Sequence, residues 1–428
     1  MHYYSLQTPS YTVDFESAVR AGLAPDKSLF FPQHLPVLDA NFWTTIGQKS
    51  LVEAAIPLMQ PYTQGSMDAT ALGDIVSETL NFPFPCVPVG TNTYALELFH
   101  GPTLAFKDVG ARFMSRCLRY FNRLENRPST VLVATSGDTG GAVADGFLGV
   151  EGVQVVILYP KGKVSDFQER QLTTLGQNIR AVEVEGTFDD CQAMVKQAFM
   201  DADLKALQLT SANSINVARW LPQMFYYVEA CRQLAQEQPL LVACPSGNFG
   251  NICAGMMAKA MGAPIAHFVA ATNVNDTVPR YMQQGQYEPH PTQATLSNAM
   301  DVSDPSNFVR ILALYQHLNK TLSQDLTAAS FTDTQTQACM QQVYAQHGYV
   351  CDPHGAVGYL GLQQAAESFQ HLPKVFLETA HPLKFADTVT STLGIEIDMP
   401  EAVKPLLSRE KVKTTLSTYA QLKGYLLG

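Results

Sequence analysis

The sequence predicts an α/β protein built on parallel sheets, with a smaller domain ahead of the main one. Short continuous apolar runs rich in β-branched residues recur between helix-length segments, the pattern of strands covered on both faces. Glycine-rich polar turns stand directly after two of those runs, where open α/β sheets place their ligands. Proline crowds "NFPFPCVPVG", Asn81 to Gly90, and separates this pattern from a turn-rich N-terminal section.

Taken in order, residues 1–80 form the smaller N-terminal unit. It contains the turn-rich "AGLAPDKSLFFPQHLP" and an amphipathic stretch from Phe42 to Met59. The proline-rich stretch is expected to be irregular, because proline lacks an N–H and fixes φ. Residues 81–400 form the core, in two subdomains. "TVLVAT" (Thr130–Thr135), "VQVVILYP" (Val153–Pro160), "IRAVEVEG" (Ile179–Gly186), "LLVACP" (Leu240–Pro245), "IAHFVAAT" (Ile265–Thr272) and "KVFLETA" (Lys374–Ala380) are its strands. Residues 401–428 are a C-terminal tail without a readable motif.

Bulk properties narrow the function. A chain of 428 residues, 46% hydrophobic and 15% charged, is an ordinary globular protein of two or three domains. A formal charge of −10 without a basic cluster argues against nucleic acid. The 8 cysteines stand singly, without CxxC pairs, so no zinc site is expected and the thiols read as reduced and structural. The start lacks a signal-peptide pattern and no segment has the apolar length of a membrane span. A cytoplasmic enzyme without a metal is the expectation.

Chemistry concentrates at three places. Lys107 lies in "ELFHGPTLAFKDVG" beside Leu104 and Phe106, so partial burial should lower its pKa and free a nucleophilic amine. "ATSGDTGG" (Ala134–Gly141) and "CPSGNFGN" (Cys244–Asn251) each read as strand, glycine turn, helix. That arrangement aims N–H groups and a helix N-terminus at an anion. Neither is a P-loop or a GxGxxG fingerprint. Two anion cradles and an activated amine fit a phosphorylated aldehyde bonded to the amine, with the other cradle on a substrate carboxylate, as in pyridoxal-phosphate enzymes. The residues alone leave open which cradle takes the cofactor phosphate.

"HGPTLAFKD", "TSGDTGGA", "PSGNFGN", "ATNVNDTVPR", "ATLSNAMDVS" and "TAHPLKF", in this order, resemble the bacterial and fungal threonine synthases. These are pyridoxal-phosphate enzymes of fold-type II, the tryptophan synthase β-like architecture. The resemblance spans nearly the whole chain and implies conversion of O-phospho-L-homoserine and water to L-threonine and phosphate. It implies that Lys107 carries the cofactor and that Gly247, Asn248, Phe249, Gly250 and Asn251 hold its phosphate. Thr379 would meet the pyridine nitrogen, and Asp138 would stand beside the 3-oxygen. Thr135, Ser136 and Thr139 correspond to the carboxylate loop. Asn213, Ser214 and Arg219 of "NSINVAR" are implied for the substrate phosphate, with Lys163 an equal match to a solvated loop lysine.

A neutral Thr379 hydroxyl implies a milder electron sink than an aspartate partner would give. Asp138 poses a charge problem, since a carboxylate beside a phenolate requires a shared proton or a different role. The freed amine of Lys107 would take the Cα proton and then a Cβ proton, and departing phosphate near Arg219 would help deprotonate the incoming water. His100, His354 and His381 read as turn anchors, because no ligand spacing accompanies them. Ser28 stands where the family has glycine, which predicts strained backbone there. Two rivals stay open: a threonine or serine dehydratase, which would not need a phosphate grip, and a pyridoxal-phosphate carrier without turnover.

Overall fold

A computed structural model describes residues 1–428 except 126, 127, 136, 236 and 237. Its strands are β1 (His2–Ser5), β2 (Thr12–Asp14), β3 (Phe30–Pro32), β4 (Cys86–Pro88), β5 (Thr93–Glu97), β6 (Ser129–Ala134), β7 (Val153–Pro160), β8 (Ile179–Val184), β9 (Leu209–Thr210), β10 (Leu240–Pro245), β11 (Ile265–Thr272), β12 (Leu326–Ser330), β13 (Lys374–Glu378) and β14 (Thr414–Leu416). All six expected strands are present, and the bounds of three match to the residue.

Two sheets carry the molecule, parallel throughout except for one edge strand. One has the order β12-β11-β10-β13-β5-β4, the other β14-β8-β7-β6-β9. Central strands such as β6 and β10 are buried along their whole length, which is why their sequences are continuous Val, Leu and Ala rather than alternating. The proline-rich stretch departs from expectation: Cys86–Pro88 forms β4, antiparallel to β5. An edge strand needs only half of its N–H groups, so proline is tolerated there. Residues 401–428 also contribute more than a tail. β14 pairs with β8, and Lys413 bridges Glu169 and Glu183 at 2.7 and 2.6 Å.

The N-terminal unit has its own antiparallel sheet, β2-β1-β3, and packs against the helix Lys107–Glu125. Phe15 meets Phe121 edge-on with ring centroids 6.2 Å apart, and Arg116 and Arg119 both reach Glu78, at 3.2 and 2.7 Å. Each such buried phenylalanine contributes about 1.5–3 kcal/mol through apolar area alone. The helix that begins with Lys107 is therefore braced along its length. The strain expected at Ser28 falls on its neighbour instead. Lys27 has φ 67°, while Ser28 has ordinary backbone and its N–H donates to Asp26 Oδ1 at 2.9 Å.

Candidate active site

Lys107 sits at the first turn of its helix, and the turn ahead of it is stitched to the end of β13. The Phe106 N–H donates to the Thr379 carbonyl at 2.8 Å, and the His381 N–H donates to the Leu104 carbonyl at 3.0 Å. Leu104 holds φ 59°, a left-handed conformation that costs about 1–2 kcal/mol and persists because these bonds fix the turn. The Tyr226 hydroxyl donates to the Phe106 carbonyl from behind. Lys107 and Thr379 are thus neighbours across one short antiparallel bridge, Ala105 to Ala380.

The amine of Lys107 is half-buried, 4.7 Å from the centre of the Phe106 ring. Among the described residues it has no hydrogen bond and no ion pair. Burial first and then the Arg219 guanidinium lower its pKa, Asp138 opposes both, and the net result is about 8. Arg219 is itself buried, with Nη1 donating to the Ala212 carbonyl at 2.6 Å while Nε has no acceptor among the described residues. Behind the lysine, Asp108 accepts from the N–H and hydroxyl of Thr103, and burial pushes its carboxyl up to about 6.

The turn after β10 is an open cradle. No N–H from Gly247 to Asn251 donates to a protein acceptor among the described residues, although the neighbouring Ser246 and Ile252 N–H groups do. Phe249, at φ 61°, turns the chain into the helix Gly250–Ala260, and side chains lock the turn from outside. Asn248 accepts from the Ser306 N–H at 2.8 Å and donates to Ser214 Oγ at 3.1 Å. A Cβ on Gly247 would come within 2.7 Å of the Met300 Cα, so only glycine fits. Five converging N–H groups at a helix N-terminus suit a phosphate. Thr379, whose hydroxyl also has no partner among the described residues, and the free amine of Lys107 complete a donor set that fits pyridoxal phosphate.

The first cradle differs. Ser136 lies outside the described residues. The Thr135 hydroxyl is spent on its own loop, donating to the Gly137 carbonyl at 3.1 Å and accepting from the Gly140 N–H at 2.9 Å. It therefore shapes the turn rather than reaching a ligand, contrary to expectation. The N–H groups of Asp138 and Thr139 and the Thr139 hydroxyl stay free among the described residues. The charge problem at Asp138 has a structural answer. The buried Lys384 ammonium lies 2.9 Å from Asp138 Oδ1, and Gln168 donates to the same oxygen at 3.0 Å. Burial alone would raise this carboxyl, but the charge and hydrogen bond of Lys384, joined by Gln168 and His354, together outweigh it and hold the pKa below its ordinary value.

Ser214 accepts from both Asn248 and Asn307, which brings the Asn213–Arg219 segment against the second cradle. Lys163 is not gathered in: it is exposed in the loop after β7 and has no partner among the described residues.

A family model for pyridoxal-phosphate dependent enzymes matches residues 84–376, one for the threonine synthase N terminus matches 2–80, and one for the threonine synthase C-terminal region matches 355–425. Threonine synthase from Haemophilus influenzae is 45% identical over 435 residues, with 100% of both chains covered. The chain belongs to the threonine synthase family. The crystal structure of threonine synthase from Escherichia coli, 42% identical, superposes with a TM-score of 0.93 over 100% of this chain and 99% of that one. The pyridoxal-phosphate-bound threonine synthase from Brucella melitensis also gives 0.93, at 36% identity and 100% and 98% coverage. The fold is therefore fold-type II and the cofactor pyridoxal phosphate, as the motifs implied.

Reading the sequence missed Lys384, Gln168 and Gln171. Lys384 had a usable signal: it stands between Leu383 and Phe385, an apolar setting like that of Lys107. His354, set aside as a turn anchor, is buried and accepts from the Ala299 N–H at 3.2 Å while facing Asp352.

Proposed function

We propose that the Lys107 site converts O-phospho-L-homoserine and water into L-threonine and phosphate. The observation that carries this reading is the amine of Lys107, without a partner among the described residues, coupled electrostatically to Asp138 of the first glycine turn and to Arg219 of the segment that packs against the second. Gly247 to Asn251 take the cofactor phosphate, Thr379 faces the pyridine nitrogen, and Asp138, kept ionised by Lys384, lies beside the 3-oxygen. When bound, the cofactor supplies an electron sink for charge developing at the substrate Cα.

The chain's own residues do the rest. Asp138 and Thr139 orient the substrate carboxylate through N–H and hydroxyl donors. Asn213, Ser214 and Arg219 hold the substrate phosphate, and of the Arg219 guanidinium only Nη1 is spent on a protein acceptor among the described residues. Lys107 Nζ, neutral above about pH 8, removes the proton at Cα and then one at Cβ, and the C–O bond at Cγ breaks as phosphate leaves. Water then adds its hydroxyl at Cβ and gives its proton to the departed phosphate, while the two protons taken by Lys107 return to Cγ and Cα, which leaves threonine. The seven buried cysteines and the free Cys86 support a reducing, cytoplasmic setting. Incubated with O-phospho-L-homoserine, the loaded protein should release threonine and phosphate one for one. An α-keto acid formed without any need for phosphate would instead indicate a dehydratase.

A further inference from the structure

Lys384 is wholly buried and its ammonium has three donors, all of them engaged. One goes to Asp138 Oδ1 at 2.9 Å, one to the Thr103 carbonyl at 2.8 Å and one to Gln171 Oε1 at 3.0 Å. Gln171 in turn donates to the Thr103 carbonyl at 3.1 Å, which closes a ring of bonds. Asp138, just past β6, and Gln171, on the helix after β7, belong to the five-stranded sheet. Thr103, past β5, and Lys384, past β13, belong to the six-stranded one.

We propose that Lys384 is a positioning residue that locks the two sheets together at their carboxyl ends, holding the first cradle in register with the Lys107 turn. Because no donor remains free, the ammonium does not bind substrate. It sets where the open N–H groups of Asp138 and Thr139 stand relative to the amine. The Thr103 it grips also holds Asp108, the residue next to Lys107, so a shift at one end of the network reaches the other. The catalytic consequence rests on the proposed reaction, whereas the lock itself does not.

The test is Lys384→Met, examined by deuterium uptake of the cofactor-free protein and by kinetics of the loaded one. Backbone exchange should rise about tenfold in segments of both sheets, 137–147 with 166–173 and 101–107. Turnover per loaded site should fall by about tenfold or more, with KM for O-phospho-L-homoserine held within about threefold. A large rise in KM at unchanged kcat would make Lys384 a substrate ligand and overturn the proposal, as would unchanged exchange. If that variant does not fold, Asp138→Asn breaks the same pair from the other sheet; uptake confined to 137–147 would then contradict the lock. A wild-type protein inert toward the phosphorylated substrate would defeat the reaction reading, and the exchange pattern would still decide the lock.

Discussion

Two lysines in apolar runs are used in opposite ways. Lys384 meets three acceptors and stays bonded, whereas Lys107 meets none and is kept as a ready amine. The sign of its titration follows from its surroundings. Burial and then Arg219 disfavour the ammonium, so the amine is neutral above about 8 rather than 10.5. Acylation of Lys107 in the cofactor-free protein, followed by mass spectrometry, should therefore show a pH midpoint near 8. Arg219→Met should move that midpoint upward, because it removes a charge that opposes protonation; a downward or absent shift would contradict the assignment. Glycines on the facing surfaces are equally specific. A Cβ on Gly110 would lie 2.6 Å from the Arg219 carbonyl and 3.1 Å from its Nε. Gly110→Ala should destabilise the fold by about 1–3 kcal/mol, read from a denaturant midpoint.

The turn after β10 works as a unit, because an anion needs all of its N–H groups pointing one way. Gly247→Ala pushes that turn off Met300 and should weaken cofactor binding about 5- to 150-fold, the equivalent of about 1–3 kcal/mol of overpacking. Equilibrium titration of cofactor into the apoprotein checks this. Elements of this kind were legible in the sequence because their signals are local: continuous apolar runs for β6, β7 and β10, and glycine turns directly after two of them. β9 and β14, with two and three residues, were not legible, since each exists only through its partner strand. The same holds for the site. Lys107 and both cradles announce themselves, but the spent hydroxyl of Thr135 depends on the exact fold of its own turn, and the Lys384 ring on residues far away in the chain. β4 shows the converse: proline signals irregularity, and only the edge position reveals why a strand survives.

At the scale of the whole molecule, the floor beneath the site carries a buried acid. Glu378, which precedes Thr379, is fully buried, with only the Cys351 thiol and an Asp352 backbone N–H to favour its charged form. Burial first, and then Asp352, hold its pKa well above the ordinary 4.5. Between that ordinary value and its raised one, the unfolded chain ionises this group while the folded chain does not, so stability is lost as pH rises through the window. Glu378→Gln should consequently melt higher than wild type at about pH 8, with the gap closing near about pH 4. Parallel melting curves at the two pH values would contradict a protonated Glu378. The architecture as a whole converges on one amine, with two sheets supplying a cradle each and the N-terminal unit bracing the helix that carries it. The decisive measurement compares threonine and phosphate release by wild type and Lys107→Ala, both saturated with cofactor. The account predicts equimolar products from wild type and a loss of at least about 10²–10⁴-fold in the variant, with the phosphate cradle still binding cofactor. Turnover in Lys107→Ala within a few-fold of wild type would show that another group moves the protons.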